Sequence, residues 1–121
     1  MRLEPWLDDL RAEYASRLPS KVAAILDLAA ALAAQPGDRR ALPELAHAVH
    51  RLVGSAGSYG FAEISTELSP WAGLLTATAA TEGTVSTQDL AGLRRSLGLV
   101  ALRVRGLGQR PAPADPGHLA R

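Results

Sequence analysis

The chain has 121 residues, of which 47% are hydrophobic, 21% charged and 4% aromatic, with no cysteine. That length holds one domain around one core, and the missing cysteines exclude a disulfide scaffold, a thiolate zinc site and a cysteine nucleophile. The formal net charge is +1, from 13 basic and 12 acidic residues, too weak a field to imply a nucleic-acid partner.

Alanine and leucine dominate the composition while β-branched and aromatic residues are scarce, a bias toward helix over sheet. Four segments carry helical periodicity. In the first, Leu7, Leu10, Tyr14, Leu18, Val22, Ile25, Ala29 and Leu32 recur at spacings of three and four. Pro19 interrupts this run, removes one backbone hydrogen bond and predicts a kink or short break. Gln35-Pro36-Gly37-Asp38 stops the helix, with Asp38 available as the next N-cap.

The second helix is expected from near Arg39 to about Gly57, with Leu42, Leu45, Val49, Leu52, Val53 and Ala56 as its apolar face. Pro43 is tolerable there only near the first turn. The third shows Phe61, Ile64, Leu68, Trp71 and Leu75; Ser69-Pro70 should bend it and the polar stretch from Thr76 to Thr84 should end it. The fourth opens on a capping box, Ser86 with Asp89, and a hydrophobic staple, Val85 with Leu90. Leu90, Leu93, Leu97, Val100, Val104 and Leu107 then form an unbroken stripe, with Arg94, Arg95, Arg103 and Arg105 off it as solvated surface.

Beyond Gly108, Pro111, Pro113, Pro116 and Gly117 occur without apolar period, the composition of a disordered tail. The expected architecture is all-α: an antiparallel four-helix bundle over residues 1–108, its first helix long and kinked, followed by a tail over 109–121. Glu4, Asp8, Asp9 and Glu13 near the start are the reverse of a secretory signal. The apolar stretch from Val22 to Ala34 contains Asp27 and is too short to span a bilayer. A soluble, cytoplasmic protein with no membrane partner is expected.

A bundle is only a scaffold, so function has to be argued from a site. On the second helix the core face centres on Val49, and His50 projects about 100° from it, at the border with solvent. Ala46 lies one turn earlier on that side, Gly54 one turn later, and Gly57 two turns later. Glycine inside a helix costs about 1 kcal/mol relative to alanine, so these positions imply either a surface that must come close to the imidazole or a helix cap and turn.

The run His50-Arg51-Leu52-Val53-Gly54-Ser55-Ala56-Gly57-Ser58-Tyr59-Gly60-Phe61 resembles the signature of histidine-containing phosphotransfer (HPt) domains, and the likeness extends over roughly residues 4 to 107. The resemblance implies a carrier that relays phosphoryl groups between receiver-domain aspartates in two-component phosphorelays. It makes His50 the phosphoacceptor and Gly54 the residue that lets the receiver approach. The partners it implies are response-regulator receiver domains and a hybrid or chemotaxis-type histidine kinase. The docking surface would lie on the exposed side of the second helix with neighbouring first-helix positions. The chain departs from the family at Val53, where a lysine or arginine is usual. Arg51 lies about 160° of helix away from that position, and His47, one turn before His50, is the better-placed substitute.

A neutral imidazole nitrogen is a competent nucleophile, so no further machinery is required of this chain. It should not be an enzyme; the receiver would bring the catalysis and the magnesium, and no cofactor is expected here. A free-standing monomer is the simplest form. The alternative is a degenerate HPt-like protein that docks a receiver or kinase without passing phosphate. Other chemistries fit less well. His47 and His50 form an H-x-x-H pair but lack partner ligands, so no metal site is expected. The Gly-Ser-Ala-Gly-Ser-Tyr-Gly run lacks both the Gly-Lys-Ser/Thr ending and the preceding strand of a phosphate loop. Ser55 and Ser58 have no identifiable acid–base partner. Tyr59 and Phe61 should pack at the helix turn, Trp6 and Trp71 at core edges, and Glu63 with Glu67 on a solvated face.

Overall fold

The computed structural model describes residues 5–109. They form four helices: α1 (Pro5–Ala34), α2 (Ala41–Ser58), α3 (Ala62–Ala80) and α4 (Thr87–Gln109). Each packs against its neighbours in chain order, and α1 closes the ring on α4. Among the described residues, no backbone contact joins α1 to α3 or α2 to α4. The short connections make successive helices antiparallel, as in an up-down bundle. The expected tail lies outside the described residues from 110 onward. No helix among the described residues is long and apolar enough to cross a membrane.

The apolar periodicity becomes the core. Leu18, Leu45, Leu68, Leu75, Leu93 and Leu97 are fully buried along the axis, with Val22, Val49, Val100 and Val104 between them. Each such side chain contributes about 1.5–3 kcal/mol by leaving water. The α4 stripe is buried from Leu90 to Val104, and Leu107 is half-buried at its end. Arg94, Arg95, Arg103 and Arg105 are exposed, and Arg103 pairs with Glu63 of α3.

The first helix departs from expectation at both its proline and its start. It runs unbroken through Pro19, whose ring faces solvent, so the lost hydrogen bond does not end the helix. Leu7 and Leu10 continue the core stripe in sequence but are exposed, as is Trp6 at 60%. Trp6 is therefore not a core edge: periodicity marks a face, not how far the neighbouring helices extend. Trp71 is one. It is half-buried, donates Nε1–H to the Ser96 hydroxyl at 2.9 Å, and satisfies the buried polar group of α4. Its ring lies where a Cβ on Gly92 would come within 2.7 Å, so only glycine fits there.

Helix ends account for the remaining differences. Asp38 does not cap α2. Its Oδ1 accepts the Arg40 N–H at 2.9 Å, an Asx turn that ends the connection, and α2 begins two residues later than expected. The α4 start is as read: Ser86 Oγ accepts the Asp89 N–H at 3.0 Å, Leu90 is buried and Val85 packs on the core. α3 likewise runs unbroken through Pro70 and extends five residues into the polar stretch, to Ala80. Thr78 Oγ1 donates to the Leu74 carbonyl at 2.8 Å, so a threonine hydroxyl is accommodated on the helix instead of terminating it.

Candidate functional site

The end of α2 decides how its glycines are to be read. Phe61 N–H donates to the Ala56 carbonyl at 2.8 Å and Gly60 N–H to the Gly57 carbonyl at 3.1 Å. These are the paired bonds of a Schellman motif. Gly60 supplies the left-handed residue, with φ +86°. Arg11 of α1 braces the turn, donating Nε–H to the Tyr59 carbonyl at 2.7 Å with its guanidinium 5.5 Å from the Phe61 ring centre. The cap therefore accounts for Gly60 alone. Gly54 lies inside the helix, exposed, and a Cβ built there meets nothing within 4 Å. No internal contact requires a glycine at that position.

His50 is exposed one turn before Gly54, and His47 and Arg51 are exposed beside it. Ala46 is buried, so the open strip begins at the histidine and does not extend to the alanine as the spacing suggested. Val53 is half-buried and packs against the core, an apolar group where the signature carries a cation. Among the described residues, no three His, Asp or Glu side chains converge in a way that could hold a metal ion.

Two contacts fix which way His50 faces. Gly57 lies seven residues later and so within about 20° of the same face; a Cβ on it would stand 3.5 Å from the Ser65 Oγ of α3. Ser55, on the other flank, pairs with the Tyr14 hydroxyl of α1 at 2.5 Å. His50 thus lies on the flank of α2 that turns toward α3. Ser65, Ser69, Ala72 and Thr76 share the α3 face that meets α2, by their spacing of four, seven and eleven. Ser69 and Thr76 are exposed while Ala72 is buried. These residues were passed over in the sequence because a small polar stripe carries no motif; its periodicity was the available signal.

The α1 flank is an aromatic brace. Tyr14 stacks on Tyr59 at 4.5 Å between ring centres and on Phe61 at 5.7 Å, which places both aromatic residues at the turn as expected. Burial pushes the Tyr14 hydroxyl above its usual range; the Ser55 hydrogen bond offsets part of this and the nearby Tyr59 adds to it. Ser55 is thus committed to structure. Glu63 is exposed in its pair with Arg103, and Glu67 is half-buried. Two surface clefts, of about 330 and 430 Å³, lie elsewhere. One lies between the α1–α2 and α3–α4 connections, the other beside Phe61 and Leu107. Neither includes His50, which is exposed.

No family model matches the chain, and no curated protein or solved structure matches it either.

Proposed function

We propose that this protein is a histidine phosphocarrier of the HPt type, with His50 as the acceptor. The observation that carries the reading is an exposed imidazole one turn from Gly54, an interior glycine that neither the helix cap nor the packing uses. An incoming receiver domain gives that glycine a purpose, because a side chain there would keep the donor aspartate from in-line approach.

In the forward step a lone pair of the neutral imidazole attacks phosphorus of the receiver's aspartyl phosphate. The N–P bond forms as the P–O bond to the aspartyl oxygen breaks. The aspartate leaves as carboxylate and the phosphohistidine keeps its ring proton. The reverse sequence hands the group to a second receiver. On this reading the receiver brings the magnesium and the charge neutralisation for the transfer step. Localisation in the cytoplasm, where such partners work, goes with the same reading.

One observation favours a second reading. Val53 is tied to the core where the signature places the cation that steadies the phosphoryl group, as in a degenerate protein that docks a receiver or kinase but carries no phosphate. Incubation with a phosphorylated receiver domain separates the two. The carrier reading predicts acid-labile, base-stable label on the wild type and none on His50→Gln. Binding without label would establish docking instead. Val53→Lys should lengthen the lifetime of the labelled form, the long side chain lying along the surface with its ammonium in solvent.

A further inference from the structure

The seam between α2 and α3 provides a polar group where Val53 does not. Starting from Gly57 against Ser65, the antiparallel helices keep step at about 1.5 Å per residue. Seven residues back along α2 lies His50, and seven residues forward along α3 lies Ala72. Four more in each direction reach Ala46 and Thr76, which stand at one level.

Helical side chains lean toward the N-terminus of their own helix. His50 therefore leans toward the level of Ala46, and Thr76, on the antiparallel helix, leans toward the level of His50. The two converge. Ala46, at the level of Thr76, is short and buried, so no long side chain stands between them. Ser69 shares the Thr76 face but stands at the level of Val53, beyond His50 toward Gly57, so the same lean carries it away from the histidine. Thr76 is exposed, and its hydroxyl has no hydrogen-bond partner among the described residues. Ser55, Thr78 and Thr81 instead donate to carbonyls of their own chain segment.

Resting on the carrier reading, we propose that Thr76 is a positioning residue whose hydroxyl donates to a phosphoryl oxygen on phosphorylated His50, in place of the cation absent at Val53. A phosphorylated histidine loses its group through a loose transition state in which charge on the terminal oxygens is reduced. A donor to those oxygens therefore holds the ground state more than the transition state. Its removal shortens the lifetime of the carrier.

The test loads wild type, Thr76→Val, Thr76→Ser and Ser69→Ala from a phosphorylated receiver, removes the receiver, and follows the phosphohistidine by ³¹P NMR. Circular dichroism confirms that each variant is folded. Thr76→Val, which keeps the shape of the side chain, should shorten the lifetime about tenfold, the scale of one charge-assisted hydrogen bond, and shift the ³¹P resonance. Thr76→Ser should restore both, and Ser69→Ala should change neither. Equal lifetimes for wild type and Thr76→Val, or an equal loss in Ser69→Ala, would overturn the role of Thr76 while leaving the carrier reading intact. A wild type that takes no label from any receiver overturns both.

Discussion

Replacing Gly54 separates what the helix needs from what a partner needs. Its position is helical and a Cβ there touches nothing, so Gly54→Ala should raise stability by about 1 kcal/mol through helix propensity, read from urea unfolding. Gly54→Gln should leave the fold intact and abolish transfer from a receiver; full transfer in that variant would remove the steric role. Tyr14 makes a second prediction. Its hydroxyl titrates above the ordinary value of 10.0 because it is buried, so the neutral form is favoured in the folded protein. The stability this contributes is complete below pH 10 and is lost as pH rises through the folded-state value. Unfolding free energies measured across that range should fall more steeply for wild type than for Tyr14→Phe, and parallel curves would contradict the assignment.

The helix boundaries show what a sequence conveys and where it stops. Ser86, Asp89, Val85 and Leu90 announced the start of α4 because each acts on its immediate neighbours. Asp38 carried the same chemistry but served a turn, and only the position of the next helix decides between those uses. The run through Thr76 and Thr78 looked like an exit from α3, yet packing against α2 and α4 held it helical. The exposed histidine with interior glycines, the proposed acceptor, was legible. Its neighbours on α3 were not, because the register of two helices depends on a contact between Gly57 and Ser65 that no local pattern encodes. α3 ends in the same kind of paired cap as α2. Gly83 N–H donates to the Thr78 carbonyl at 2.9 Å and Glu82 N–H to that of Ala79 at 3.1 Å. Here the left-handed residue is Glu82, at φ 54°, not glycine. Glu82→Gly should therefore stabilise the protein by about 1 kcal/mol, measured by thermal or urea unfolding; no gain would mean that the glutamate makes an offsetting contact.

The bundle as a whole keeps stability and proposed chemistry on separate surfaces. Leu68 is fully buried at the centre of α3, and Leu68→Ala should cost about 2–5 kcal/mol, a large share of the 5–15 kcal/mol typical of such a domain. Under conditions where it remains folded, that variant should still accept phosphate if the carrier reading holds, since Leu68 is fully buried and His50 is exposed. The same separation explains why the molecule is so plain in composition. Alanine and leucine build a ring of helices, the near-neutral charge leaves no strong field, and the His50 imidazole stands open on the flank of α2 that turns toward α3. The most direct test of this account is to locate the phosphoryl group after transfer from a receiver, by fragmenting under alkaline conditions the peptide that contains both His47 and His50. The account predicts the group on His50 alone; label on His47, or on neither, would contradict it.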